Sequence, residues 1–373
     1  MTMKQISSSL IFATLLLSSC ARGPAVVKRQ APAPQPFPVR IVELNGTATE
    51  LGQSYGKQLS KPIHYLFDHY LKPYFTSEMQ RFLALTAASG FETKLSPEHR
   101  EEVKALAKQT ELDEREMMLA QCFLDLSPMT ACSTITLPAE ASPDHVARFG
   151  RNLDFASMNV ADKQTVIMIY RPAGRYQFAA VSWPGLIGVL SGMNEYGLTL
   201  ANMEVDRSAG LPVAMPYTLL YRTVLERCRT VNEAIHLLET TPRQTANNLM
   251  LMDAAGDRAV VEITPEAIVV RRGKEGSSLI STNHQRAQDM DSTGRCWRYD
   301  YLHKSSGETF GKLDVKGVES MLGHVAQGES TLQSMVFEPA NRVLYLAVGK
   351  NAPTRGYSRL DLKPYFAGQV VPY

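Results

Sequence analysis

The stretch from Cys132 to Phe155 constrains the fold more tightly than any other. Residues 132–136, which end in the β-branched run Thr134-Ile135-Thr136, predict a strand. Pro138 to Asp144 is turn-forming, and Gly150-Arg151-Asn152-Leu153-Asp154-Phe155 predicts the returning strand. With Ser142 and Pro143 at the tip, antiparallel pairing sets the region of Leu153 opposite Cys132. Arg151 and Asp154 then fall within a residue or two of the sulfur, a layout for a thiol nucleophile held by charge. Strict alternation puts those two on opposite faces of the strand. On this reading both reach Cys132 only if the strand ends or bulges there.

Before this hairpin the pattern is helical. From Thr49 to Tyr74, the residues Tyr55, Leu59, Ile63, Leu66, Tyr70 and Tyr74 recur near one helix face. Ser96-Pro97-Glu98 predicts a helix start, with Ser96 as the cap and Pro97 in the first turn. A further helix is expected from about Asp113 to Leu126. After Cys132 strand patterns dominate, over 165–170, 177–182, 188–191 and 198–203. A helical pair over 217–239, joined around Thr230, precedes a hairpin of 248–253 and 259–264, and 268–272 extends its sheet. Residues 289–325 read as helical, and 335–338 with 343–348 form a last hairpin. Elements in blocks, rather than in strict β-α-β alternation, predict an α+β fold of antiparallel sheets layered with helices.

The first forty residues read as address and tether. Lys4 followed by the apolar run Leu10 to Leu17 has the make-up of an export signal, too short to span a bilayer as a retained helix. Leu17-Ser18-Ser19-Cys20 resembles a lipobox. Residues 1–19 are therefore expected to be a lipoprotein signal peptide, and Cys20 the lipidated first residue of a protein anchored in a bacterial envelope. Ala21 resembles the pattern of outer-membrane sorting. Residues 20–38 include a proline-rich run, Ala31 to Pro38, that predicts an extended tether. The remaining residues suffice for one large domain or two small ones. The formal net charge of +2, with acids and bases interleaved, argues against a nucleic-acid partner. With Cys20 lipidated, Cys122, Cys132, Cys228 and Cys296 remain, an even number that an oxidising address allows to pair. Neither an HExxH nor a CxxC spacing is present, and no metal or cofactor is expected.

Four pieces of sequence, in this order, carry a resemblance. The first is Gly46-Thr47-Ala48-Thr49-Glu50-Leu51-Gly52 followed by Tyr55-Gly56. The second is Cys132 with Gly150 to Asp154. The third is Trp183-Pro184-Gly185 leading to Gly192-Met193-Asn194-Glu195-Tyr196-Gly197-Leu198. The fourth is Ser281-Thr282-Asn283-His284, with Ser292-Thr293-Gly294-Arg295 after it. Over about residues 41–365 the chain resembles the N-terminal-nucleophile acyltransferases and amidases around isopenicillin-N acyltransferase, and more distantly choloylglycine hydrolase and acid ceramidase.

That resemblance implies an αββα sandwich made as an inactive precursor. Residues 39–131 would be a helical pro-segment and residues 132–373 the catalytic β-chain, with the backbone cut between Ala131 and Cys132. The two chains of the one precursor would stay packed together. The chemistry is coherent: a thiol needs a base to become a thiolate, and a freed α-amine, with a reference pKa of about 8, can take its proton. By the same resemblance, Arg151 and Asp154 orient the amine and thiol. Asn202 and Asn283 would donate to the oxyanion, with Glu204 standing where the choloylglycine hydrolase pattern has the first amide. Arg295 would brace the network, with Arg298 one turn on as its substitute. Phe155, Met158, Trp183 and Met193 are candidates for an acyl pocket, and Asn194 reads as a turn residue. The expected activity is hydrolysis of a linear amide in a small N-acyl substrate, or transfer of its acyl group, through a Cys132 thioester. Two other readings remain. One is a Cys-His thiol peptidase that pairs Cys132 with His284 or His145. The other is a non-catalytic binding lipoprotein with Cys132 oxidised or inert.

Overall fold

Capping chemistry places the first helices. The computed structural model describes residues 37–127, 130–205, 214–287 and 296–368. After strand β1 (Arg40–Gly46), Thr47 and Glu50 form a reciprocal capping box at the start of α1 (Ala48–Leu66). A π-helical turn over Phe67–Leu71 and the short α2 (Lys72–Tyr74) continue its course. Ser77 caps α3 (Glu78–Glu92), Ser96 caps α4 (Pro97–Thr110), and Asp113 caps α5 (Glu114–Leu126). The predicted helix from Thr49 to Tyr74 is therefore interrupted at the π turn, and it also kinks at Leu59, three residues before Pro62. Helix α3 had no separate expectation.

Next come β2 (Thr130–Leu137), β3 (Arg148–Phe155), β4 (Val166–Pro172), β5 (Phe178–Ser182), β6 (Ser191–Asn194) and β7 (Thr199–Glu204). Helices α6 (Tyr217–Arg227) and α7 (Val231–Thr240) lead to β8 (Asn247–Met252), β9 (Arg258–Ile263), β10 (Ile268–Arg272) and β11 (Leu279–Ser281). The chain ends with α8 (Trp297–Glu308), α9 (Val315–His324), β12 (Thr331–Glu338), β13 (Val343–Val348), β14 (Ser358–Asp361) and α10 (Lys363–Phe366). The strand expected over 188–191 begins only at Ser191, and the expected helix over 289–325 is, within the described residues, the pair α8 and α9.

The strands form two sheets. One runs β1-β4-β5-β6-β7-β8-β9-β10 and the other β11-β2-β3-β12-β13-β14. All pairs are antiparallel except β1 with β4, which is parallel, a departure from the purely antiparallel expectation. The sheets pack face to face, with β2 against β7, while α6 and α7 lie on the eight-stranded sheet and α8 and α9 on the six-stranded one. This is the α+β layered sandwich expected. One large apolar core fills the space between the sheets and reaches into α1, α4 and α5, and a smaller one lies between the six-stranded sheet and α8–α9. Among the described residues, no helix is long and apolar enough to cross a membrane.

The segment before Cys132 is bound tightly to the rest. Helix α1 crosses α4 at Gly52 and Gly56, where an added Cβ would meet the Glu102 carbonyl at 2.4 Å and the Gln109 side chain at 2.7 Å. Helix α4 in turn reaches α6 through a buried ion cluster. Arg222 donates to both oxygens of Glu102, at 2.9 and 2.6 Å, and to Glu226 at 2.8 Å.

Candidate active site

Cys132 is fully buried on β2 and stands opposite Leu153, the register that the hairpin reading requires. Pleat alternation sorts its neighbours into two sets. Cys132, Thr134 and Thr136 point between the sheets, where the two threonine hydroxyls meet the sulfurs of Met203 on β7 and Met250 on β8 at 3.3 and 3.8 Å. On β3, Phe149, Arg151 and Leu153 share that face. Gly150, Asn152 and Asp154 face the α8–α9 layer, with Asn152 donating to the Leu322 carbonyl at 2.7 Å. Arg151 and Asp154 therefore do lie on opposite faces, and β3 needs no bulge between them. They address different parts of Cys132. The irregularity falls on the neighbouring strand, where β12 slips register beside Asp154, between Thr331 and Gln333.

Arg151 serves the sulfur side. Its Nη1 donates to the Asn202 carbonyl at 2.6 Å. Its Nε and Nη2 are buried with no hydrogen-bond partner among the described residues. Asp154 serves the main-chain side through Arg298 on α8. Arg298 Nη1 donates to the Cys132 carbonyl at 2.6 Å and lies 3.4 Å from Asp154 Oδ2, while Nη2 donates to Asn283 Oδ1 at 3.0 Å. Asn283 Oδ1 also accepts the backbone N–H of Cys132 at 2.7 Å, and its Nδ2 donates to the Glu204 carbonyl at 2.7 Å. Thr331 and Gln327 donate to the Asp154 carboxylate. Both peptide groups of Cys132 are thus gripped, the N–H by Asn283 and the C=O by Arg298.

Burial raises the Cys132 thiol above its ordinary value; Arg151 pulls it down, Asp154 pushes it up, and Arg298 and the Asp154 N–H pull it down again. Burial likewise raises Asp154, against the opposing pull of Thr331, Arg298, Gln327 and Arg151.

Several expected site residues fall elsewhere. Arg295 and Cys20 lie outside the described residues, and Arg298 occupies the bracing position. The side chain of Asn202 is not aimed at the sulfur. Met203 faces β2, so alternation along the regular β7 ladder turns Asn202 to the opposite face, and it is its backbone oxygen that serves Arg151. His145 sits in the β2–β3 connection, beyond the far end of β2, where five residues of strand set it more than about 15 Å from Cys132. That distance rules out a dyad with Cys132. The carbonyl of His284 accepts from Asn248 at 2.9 Å. Cys122, Cys132, Cys228 and Cys296 are all free and buried. Asn194 does hold a turn, its Oδ1 accepting the N–H groups of Tyr196 and Leu198.

Of the pocket candidates, Phe155 and Trp183 line an apolar groove of about 90 Å³ together with Leu66, Phe67, Tyr70 and Phe123. Met193 is sealed in β6, and Met158 lies exposed in a loop with a left-handed backbone, φ +47°. Neither lines this groove. Phe155 is two residues beyond Leu153 on the same face, so the groove opens about 7 Å along the strand from the partner of Cys132. The sequence reading missed Gln327 and Thr331, which follow α9 without any local pattern to mark them. It also gave Glu204 no role, although this acid is buried and its carbonyl is tied to Asn283.

Residues 142–353, more than half of the chain, match the family model described as acyl-coenzyme A:6-aminopenicillanic acid acyl-transferase. The match begins after Cys132, so the role of that residue rests on geometry. The chain is 22% identical over 373 residues to protein dcd1A of Dictyostelium discoideum, covering 89% of this chain and 84% of that one. It is 26% identical over 157 residues to the N-acylethanolamine-hydrolyzing acid amidase of Oryctolagus cuniculus, covering 40% and 41% of the two chains. Among solved structures, a conjugated bile acid hydrolase of Clostridium perfringens aligns with a TM-score of 0.48 at 16% identity, over 65% of this chain and 97% of that one. On the family match, the chain belongs to the acyl-coenzyme A:6-aminopenicillanic acid acyl-transferase family.

Proposed function

We propose that this enzyme of amide hydrolysis or acyl transfer is a self-cleaving cysteine amidohydrolase, cut between Ala131 and Cys132, that acts on N-acyl substrates through a Cys132 thioester. The supporting observation is the grip on both sides of Cys132. The nitrogen that now donates to Asn283 at 2.7 Å would, once freed, be an amine held by the same oxygen. It takes the thiol proton, and the thiolate attacks the acyl carbonyl. The C–S bond forms, and the carbonyl π pair moves to oxygen. The two unmatched nitrogens of Arg151 lie on the sulfur's side of the sheet, and their N–H groups stabilise this developing charge. Collapse expels the amine, which leaves with the proton held by the α-amine. Water then attacks the thioester, giving the carboxylic acid and restoring the thiol. The apolar groove beside Phe155 and Trp183 takes the acyl group. On the strength of the Leu17–Cys20 pattern we also propose an extracytoplasmic protein tethered by lipid at Cys20.

N-terminal sequencing of the purified protein tests the central point. Two termini are expected, one of them Cys132, and Cys132→Ala should leave a single inactive chain. An uncut protein with full turnover would overturn the reading.

A further inference from the structure

The loop from Trp183 to Ile187 forms one wall of the groove, and it is held by side chains from the other side of the proposed cut. Tyr55, fully buried on α1, accepts the Gly185 N–H at 3.0 Å and donates to the Leu186 carbonyl at 3.1 Å. Gln121 on α5 uses both ends of its amide. Its Nε2 donates to the Gly185 carbonyl at 2.8 Å, and its Oε1 accepts the Ile187 N–H at 2.9 Å. Gly185 has φ +98°, so the loop follows a path open to few residues and is pinned on it at both N–H and C=O. The same loop aims Trp183, whose indole N–H donates to the Ala161 carbonyl at 2.8 Å and whose ring lies 5.2 Å from Phe155. Neither Tyr55 nor Gln121 lines the groove. They fix its wall from behind.

We propose that Tyr55 and Gln121 are positioning residues for acyl selectivity: from the segment that precedes Cys132, they set the Trp183–Ile187 wall against which the acyl chain packs. The proposal rests on the reading that the groove takes the acyl group. It makes the segment before Cys132 a part of substrate recognition in the cleaved enzyme. A long acyl chain fills the groove and depends on the wall, whereas an acetyl group does not reach it.

The test uses the full chain and a series of N-acyl aminocoumarins from acetyl to palmitoyl. Gln121→Leu keeps the bulk and removes both hydrogen bonds to the loop, along with one to the Met117 carbonyl of its own helix. The KM for the palmitoyl substrate is expected to rise about ten-fold, with kcat changed less than about two-fold and acetyl KM little moved. Tyr55→Phe, which removes one hydroxyl, should shift the series the same way by a smaller factor and guards against a Gln121 variant that fails to fold. An equal KM rise for acetyl and palmitoyl, or none for either, would overturn the proposal. Ala120→Trp fills the groove without touching the loop's hydrogen bonds. If it leaves palmitoyl KM unchanged, the groove reading and the clamp both fall. If it raises palmitoyl KM while Gln121→Leu and Tyr55→Phe do not, the groove stands and the clamp alone is overturned.

Discussion

Among the described residues two arginines, Arg151 and Arg222, are fully buried, and they are treated in opposite ways. Arg222 on α6 has every nitrogen engaged. Nε meets Glu226, Nη1 and Nη2 meet Glu102, and the guanidinium lies 4.5 Å from the Tyr170 ring centre. Arg151 on β3 has one bond, to the Asn202 carbonyl, and two nitrogens without a hydrogen-bond partner. A saturated buried charge fixes one arrangement of helices, here α4 against α6. An under-used buried charge costs folding free energy, and on the proposed function Arg151 is the one beside which negative charge develops. The difference separates the frame of the molecule from its chemistry.

Substitution of each arginine should separate the two roles. Arg222→Met leaves Glu102 and Glu226 buried without their partner and should cost about 3–5 kcal/mol in urea unfolding. Adding Glu102→Leu and Glu226→Leu should recover most of it. A loss below about 1 kcal/mol for the single variant would break the comparison. Arg151→Met should lower kcat/KM by about 10²–10³ while stability moves by no more than about 1 kcal/mol. A large unfolding cost with intact turnover would invert its role.

Acid should act on the frame first. Burial pushes the Glu226 carboxyl up, but Arg222 and His99 pull harder, and it ends at about 2. Its folded value lies below the unfolded one, so its contribution to stability is complete above about 4.5 and fades as pH falls towards 2, on the order of 3 kcal/mol in all. Asp154 is shifted the other way by burial, so its contribution is present at low pH and fades as pH rises through its folded value. Unfolding measured across this acid range should show the loss attributed to Glu226 shrink in Glu226→Gln. A pH profile unchanged in that variant would locate the acid-sensitive group elsewhere. The smallest effect is expected from Ser96→Ala, which removes the cap of the helix that carries Glu102. It should cost about 1 kcal/mol and leave turnover unaltered.

The β2–β3 hairpin was legible in the sequence because its signals are local: a β-branched run and a turn-forming link centred near Ser142 and Pro143 put Leu153 opposite Cys132. Helices α4 and α5, capped by Ser96 and Asp113, were legible for the same reason, whereas the αββα layering came from the family resemblance and α3 went unread despite its Ser77 cap. The destination of each charge was not legible. Alternation correctly split Arg151 from Asp154, but the partners of their side chains, the Asn202 carbonyl for Arg151 and Arg298 for Asp154, come from distant elements. The choice between Arg295 and Arg298 depends on where α8 begins, and its cap residue, Cys296, makes no side-chain capping bond that would announce it. Asn202 looked like a donor by type, and only the register of β7 against β8 shows that its side chain faces away. The parallel pairing of β1 with β4 is non-local, and no turn residue could signal it.

That pairing has a consequence for the mature enzyme. If the backbone is severed before Cys132, the strand that closes the β4 margin of the eight-stranded sheet belongs to a separate polypeptide. Melting then becomes a dissociation, and its midpoint should climb with protein concentration, whereas that of the uncut Cys132→Ala chain should not. Once the smaller fragment leaves, the β4 margin is bare and able to recruit a foreign strand, so heat damage to the processed form should end in precipitate rather than in reversible recovery.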